Sequence, residues 1–149
     1  VPTDLTSIIE EVSHEFRPKA ESKQITLNVH LPDSLPLIIG EKDKLRHVLS
    51  NLLDNALKFT PAGGVATLSI AIEEDCLKID VSDTGIGIAE EHHQHIFERF
   101  YRVDSSRQYH GTGLGLSIAK HIIQSHGSEI KIESQLGKGS KFTFKVPIS

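Results

Sequence analysis

The chain has 149 residues, a formal net charge of −4, 38% hydrophobic and 24% charged residues, a composition typical of one globular domain. Its single cysteine, Cys76, excludes a disulfide-held scaffold and favours a reducing, intracellular setting, and its negative charge argues against nucleic-acid binding. No apolar run approaches the roughly 20 residues of a bilayer span. We therefore expect a cytoplasmic domain without direct membrane contact, which could be the cytoplasmic part of a membrane-anchored protein.

The first predicted elements are a helix and a strand. Apolar residues at three- and four-residue spacing predict a helix over 5–22, with Asp4 or Thr3 as N-cap, and Pro18 is expected to end or bend it. Alternating apolar residues then predict a half-buried strand over 24–31. Because no methionine occurs anywhere, we expect the chain to be a piece of a longer protein.

The segment 41–59 gives the clearest helix signal in the sequence. Its apolar residues form one continuous stripe at helical spacing: Leu45, Val48, Leu49, Leu52, Leu53, Ala56 and Leu57. The run 60–64 (TPAGG) ends this helix. Two alternating segments, 66–72 and 77–81, are separated by a short acidic connection and predict a β-hairpin.

The second half of the chain begins with a long polar segment, 89–111, which lacks clear periodicity and is therefore expected to be functional. An apolar-faced helix is predicted over 112–126, closed by Gly127, and two strands follow near 130–132 and 142–146. Pairs of strands separated by helices predict a two-layer α/β sandwich with the helices on one face.

One candidate site lies on the 41–59 helix. Asn51, Asn55 and Lys58 fall within an arc of about 60° beside the apolar stripe. Such a trio is commonly a solvated helix flank. The alternative is functional, because two carboxamides offer oxygen ligands to a hard cation and an ammonium group attracts phosphate.

A second candidate site is the run DTGIGI at 83–88. Asp83 continues the inward register of Leu77, Ile79 and Val81, so its carboxylate needs hydrogen-bond donors, which the amine of a purine could supply. Gly85 and Gly87 would let the backbone approach a ligand closely. The alternative is a tight turn closed by an aspartate hydrogen bond.

Two further runs complete the candidates. GTGLGL at 111–116 leads into a helix and offers backbone amides to phosphate, but it lacks the G-x-G-x-x-G spacing and the preceding strand of a dinucleotide fold. FERFYR at 97–102 combines aromatic residues, which commonly pin a loop to the core, with arginines that could reach phosphate oxygens.

These runs occur in a characteristic order. N-x-x-D-N-A-x-K-F-T, D-T-G-I-G-I, F-E-R-F-Y-R, G-T-G-L-G-L and G-K-G-S-K-F resemble the N, G1, F, G2 and G3 boxes of the catalytic and ATP-binding domain of bacterial sensor histidine kinases, over about residues 4 to 147. The resemblance implies a Bergerat fold, an α/β sandwich with a mixed sheet, helices on one face and a flexible ATP lid over about 89–110. It also implies one catalytic domain over 1–149, without the phosphoacceptor dimerisation domain.

The resemblance implies a role for each matching residue. Asn55 would ligate Mg²⁺, with Asn51 as a helper or second ligand, and Lys58 and Arg102 would face the phosphates. Asp83 would bind the adenine amine, supported by Ser140 through water. The remaining residues implied to surround the nucleotide are Gly85, Gly87, Ile88, Phe97, Tyr101, Gly111, Thr112, Gly113, Leu114, Gly115 and Leu116, and Phe97 and Phe100 would anchor the lid.

The implied partners are a separate helical phosphoacceptor domain of the same kinase and a downstream response regulator. His14, in VSHEFRPK, has some letters of the H-E-x-R-T-P acceptor motif, but Pro18 follows Arg17 with no threonine between them, and a strand is predicted from about Lys23. We therefore interpret the segment as the first helix of the ATP-binding domain.

Two other functions stay open. An ATP-hydrolysing relative would need a glutamate base at the position of Asn51, and an amide cannot take the proton. A nucleotide-free interaction module would not need Asn55 or Asp83. His92, His93 and His95 lack the thiolates or carboxylates that would complete a zinc site, so we interpret them as solvated residues.

Overall fold

The computed structural model describes residues 2–98 and 115–149. Within these ranges the helices are α1 (Leu5–Ser22), α2 (Lys42–Phe59) and α3 (Gly115–Ser125), with a short 3₁₀ helix at Glu90–His92. The strands are β1 (Pro2–Thr3), β2 (Thr26–His30), β3 (Ile38–Ile39), β4 (Val65–Ile72), β5 (Cys76–Asp83), β6 (Lys131–Gln135) and β7 (Gly139–Pro147). No helix in the described ranges is long and apolar enough to cross a membrane.

Among the described residues, the main sheet has five strands in the order β2-β4-β5-β7-β6. β2 runs parallel to β4, and the other neighbouring pairs are antiparallel. Along the central strands every second residue is buried under the helices, so the sheet has one covered and one polar face. This arrangement confirms the predicted two-layer sandwich with a mixed sheet.

The helix α1 begins as predicted but continues past Pro18, where we expected it to end or bend. The Asp4 carboxylate accepts the Thr6 amide at 3.0 Å and caps the helix. Pro18 does not end α1, which runs on to Ser22. Proline removes the helical bond to the His14 carbonyl and its ring crowds that carbonyl. The helix continues because the buried Phe16 and Ala20 hold its last turns on the core.

The core is formed mainly by α2 and the covered face of the sheet. All seven residues of the predicted stripe are buried, each exposed by 3% or less. The predicted hairpin is confirmed, since β4 pairs with β5 in the register Ala66↔Asp83. Burying this stripe is the main source of stability for α2, because short helices are only marginally stable alone.

A second, two-stranded sheet was not predicted. β1 pairs with β3 through Thr3 and Ile38, and Ile38 also bridges to Ile148 near the end of the chain. The Ser149 amide donates to the Leu37 carbonyl at 2.8 Å. The first and last described residues thus meet on the same short strand.

Candidate functional site

Asp83 ends β5 with its side chain on the covered side of the sheet, where Ala66 and Ser140 are its neighbours in register. Its Oδ1 accepts the Gly85 amide at 2.8 Å. Burial raises the pKa of Asp83 above its ordinary value, and hydrogen bonds from the backbone amides of Gly85 and Ser140 offset part of that rise. The carboxylate is therefore held in place by the backbone and keeps acceptor positions for a ligand.

The backbone after Asp83 passes so close to other segments that side chains would not fit. A Cβ on Gly85 would lie 2.4 Å from the Phe59 carbonyl oxygen at the end of α2. Gly87 has φ +73°, and a Cβ there would lie 2.0 Å from the Gln135 carbonyl oxygen. Only glycine combines that φ with that approach. The turn consequently joins α2 to the β6–β7 hairpin.

Ser134, which no sequence motif contains, ties the turn to the hairpin. Its Oγ accepts the Ile88 amide at 2.7 Å and lies 2.8 Å from the Ser140 Oγ. Its position could have been predicted, because Ser134 lies two residues after the inward-facing Ile132. Ser140 is itself buried.

The three polar residues predicted on α2 lie side by side but differ in their contacts. Asn51 donates from its side-chain amide to the Gly115 carbonyl at 3.1 Å, and so joins α2 to the start of α3. The Asn55 side chain makes no hydrogen bond within the described residues. Lys58 pairs with Asp54 at 3.1 Å. An amide oxygen and an exchangeable ammonium group are thus available to a metal and a phosphate.

The described part of the predicted lid, residues 89–98, is held on the core at two places. Ile96 is buried, and the Phe97 ring meets Phe142 edge to face at 6.1 Å between centroids and 85° between planes. His93 Nε2 donates to the Ile88 carbonyl at 2.9 Å. Beyond this segment, Leu116 of the predicted GTGLGL run lies at the start of α3 and packs against the core.

A cavity of about 860 Å³ opens where β5, β6 and β7 meet. Its lining includes Asp83, Ser134 and Ser140, together with Glu90 and His93. The α2 trio does not line this cavity. The structure thus brings the residues predicted to bind adenine together in one group and the amide-and-ammonium residues in another. Phe59 connects the two groups, because its carbonyl accepts the Ile86 amide at 3.1 Å in the glycine turn, residues 84–88.

Several predicted site residues lie outside the described residues: Arg102, Tyr101, Phe100, Gly111, Thr112, Gly113 and Leu114, with residues 99–110 of the predicted lid and the start of the predicted 112–126 helix. The histidines 92, 93 and 95 belong to no group of three metal-binding side chains in the part of the chain that the structure describes. His14 is exposed on α1, which packs against α2 and β2.

His126 makes contacts between α3 and the start of α2 that were not predicted from the sequence. Its Nδ1 donates to the Ile122 carbonyl at 2.9 Å, and its Nε2 accepts the Glu41 amide at 3.1 Å. These two bonds require the neutral imidazole with its proton on Nδ1. α3 is therefore bound to α2 at both ends, by Asn51 at one and by His126 at the other.

Comparisons with known proteins agree with this geometry. The family model described as "Histidine kinase-, DNA gyrase B-, and HSP90-like ATPase" matches residues 40–149. The adaptive-response sensory kinase SasA of Synechococcus sp. (strain JA-3-3Ab) is 40% identical over 99% of this chain, which spans 40% of SasA.

Two solved structures share the whole fold. The mycobacterial sensor histidine kinase MprB superposes with a TM-score of 0.88 at 27% identity, over 99% of this chain and 98% of that one. Full-length ShkA in complex with AMPPNP gives a TM-score of 0.88 at 31% identity, over all of this chain and 31% of that one. The chain therefore belongs to the family of histidine kinase-, DNA gyrase B-, and HSP90-like ATPases, as the ATP-binding catalytic domain of a sensor histidine kinase.

Proposed function

We propose that this domain binds Mg-ATP and donates the γ-phosphoryl group to a histidine on a separate helical dimerisation domain of the same kinase. The bond between the γ-phosphorus and the β–γ bridging oxygen breaks, a bond from imidazole nitrogen to phosphorus forms, and ADP leaves. A response regulator then takes up the phosphoryl group. The domain comprises residues 1–149, with a lid over about 89–110, and works in the cytoplasm.

The observation that carries this proposal is the carboxylate of Asp83 at the end of β5. Backbone amides orient it without using all of its acceptor positions. Asp83 is partly buried, and a partly buried carboxylate with free acceptor positions is stabilised when a ligand supplies donors. The exocyclic amine of adenine is a donor of the right kind. Ser140 lies beside Asp83 in register and would hold a bridging water.

The α2 residues suit the phosphate end of the same nucleotide. Asn55 has an unengaged amide oxygen and would ligate Mg²⁺, while Asn51, already bound to Gly115, would support the site from the side. Mg²⁺, when bound, would neutralise phosphate charge. Lys58 would exchange Asp54 for a phosphate, a small cost because exposed ion pairs contribute little. Phosphoryl transfer depends chiefly on such positioning and charge neutralisation.

The other residues retain the roles that the motifs imply. Gly85, Gly87, Ile88, Phe97, Gly115 and Leu116 would border the nucleotide, as would Tyr101, Gly111, Thr112, Gly113 and Leu114, and Arg102 would approach the phosphates. Rapid ATP hydrolysis is disfavoured, because the Asn51 amide donates to Gly115 and cannot act as a general base.

The test is incubation of the chain with γ-labelled ATP, with and without a separately supplied helical acceptor domain. We expect acid-labile label on the acceptor domain and none on the isolated chain. Strong labelling of the isolated chain that His14→Ala abolishes would show that His14 is the acceptor instead. No ATP binding by the chain at all would contradict the proposal as a whole.

A further inference from the structure

The hydroxyl group of Ser134 lies where three segments meet. It accepts the Ile88 amide at 2.7 Å, donates to the Gly139 carbonyl at 2.9 Å, and lies 2.8 Å from the Ser140 Oγ. Ile88 ends the glycine turn, and Gly139 and Ser140 begin β7. The Asp83 carboxylate also connects the turn to the start of β7, through the amides of Gly85 and Ser140, but Ser134 is the residue that bonds to the Ser140 hydroxyl.

The number of protons at this site fixes the direction of each bond. A serine hydroxyl has one proton and two acceptor positions. If Ser134 gives its proton to Gly139, it can accept from both Ile88 and Ser140, and all three bonds form. If it gave its proton to Ser140 instead, the bond to Gly139 would be lost. Only the first assignment forms all three bonds, which is favoured at this part-buried site.

This assignment determines what Ser140 can offer to a ligand. Its only proton points to Ser134, so its Oγ presents lone pairs to the cavity and acts as an acceptor. The ionised carboxylate of Asp83, its partner in register on β5, is also an acceptor. Both residues line the same cavity. This end of the cavity therefore presents acceptors to a ligand, directly or through a bridging water.

We propose that Ser134 is a positioning residue that holds Ser140 as an acceptor and so selects a purine with an amine, rather than a carbonyl, at C6. The inference rests on the proposed function. Ser134 acts through Ser140 and the glycine turn. Without its hydroxyl, Ser140 can rotate its proton into the cavity and donate to a carbonyl oxygen.

The test compares ATP with inosine triphosphate, whose base carries a carbonyl at C6, by titration calorimetry with Mg²⁺. We expect the unchanged chain to prefer ATP, and Ser134→Ala to lower the ratio of the two affinities by about two- to tenfold, the size of one hydrogen bond. A merely structural role would weaken both nucleotides equally and leave the ratio unchanged.

Further variants separate the possible causes. Ser134→Thr keeps the hydroxyl and should keep the ratio, and Ser140→Ala should lower it. The double variant should match Ser140→Ala alone, because Ser134 acts through Ser140. If Ser134→Ala does not fold, Ser134→Cys, with its weak hydrogen-bonding thiol, takes its place.

The outcomes are distinct. If the unchanged chain does not bind ATP, the proposed function fails. If it binds ATP but does not prefer it over inosine triphosphate, or if Ser134→Ala leaves the ratio unchanged, or if the two serine variants are additive, only the role of Ser134 is wrong.

Discussion

Asn51 donates its side-chain amide to the carbonyl oxygen of Gly115, across 64 residues of sequence and 3.1 Å of space. The bond connects the middle of α2 to the first residue of α3. Asn55, one turn later on the same face, has no such partner among the described residues. The two asparagines of one motif therefore differ in their contacts: the Asn51 amide group is bonded to α3, whereas the Asn55 side chain keeps its bonding positions.

This difference predicts opposite effects of the same substitution. Asn51→Ala should lower the free energy of unfolding by about 0.5–1.5 kcal/mol, because one part-buried hydrogen bond is lost. Asn55→Ala should change it by less than about 0.5 kcal/mol and still weaken Mg-ATP binding. Urea denaturation and calorimetry measure the two effects, and an equal loss of stability in both variants would contradict the assignment.

Lys58 should bind phosphate more readily once Asp54 is removed. Asp54→Asn breaks an exposed ion pair at 3.1 Å, so we expect almost no change in stability but an affinity for Mg-ATP that rises by up to about fivefold. Calorimetry in the Lys58→Met background is the control. If the gain persists there, it comes from the loss of a negative charge and not from a freed lysine.

Asp83→Asn should separate stability from binding. The loss of the charged acceptor should weaken ATP binding by about 10- to 100-fold, while the fold is retained. Asp80→Asn is the matched control, because Asp80 lies on the opposite face of β5 and bonds to Thr143. Unchanged ATP affinity in Asp83→Asn would refute the position assigned to the adenine.

The same variant should change how stability depends on pH. Burial raises the pKa of Asp83 above 3.8 in the folded chain, so folding disfavours its ionised form. This cost is absent below the ordinary pKa, grows as the pH rises towards the raised pKa, and is constant above it. Without nucleotide, the stability of Asp83→Asn relative to the unchanged chain should therefore increase from pH 3 to pH 7. A flat difference in urea denaturation across this range would contradict the expected burial cost.

Gly87 and Gly63 form a matched pair for testing the close approach of the turn. Both have positive φ, +73° and +90°, but a Cβ on Gly87 would strike the Gln135 carbonyl, whereas nothing lies within 4 Å at Gly63. Gly63→Ala should cost about 1–2 kcal/mol for its conformation alone, and Gly87→Ala clearly more. Equal losses in urea denaturation would mean that the approach to Gln135 is not tight.

The parts of the fold that depend on local periodicity could be predicted from the sequence. The stripe on α2 and the β4–β5 hairpin follow from spacing alone, and the alternation Leu77, Ile79, Val81 put Asp83 on the covered side of the sheet. Pro18 was misread because a local rule was applied to a helix that tertiary packing stabilises.

The parts that depend on distant pairing could not be predicted. Periodicity says which side of a strand is buried, but not which strand lies beside it, so the pairing of β1 with β3 was missed. His126 resembled any polar residue at a helix end, since its partner Glu41 lies 85 residues away. The spacing from Ile132 puts Ser134 on the covered side, but its bonds to Ile88 and Ser140 follow only from the placement of β6 beside β7.

The position of β7 has a consequence for how the domain is made. β7 follows the other four strands of its sheet in the chain, yet it lies between β5 and β6 and supplies Ser140. The helices α1 and α2 can form early, but the sheet stays incomplete, with one side of β5 unpaired, until β7 leaves the ribosome. Within this sheet we therefore expect the proposed nucleotide site to form only after β7 has been synthesised, because contacts between distant residues form slowly.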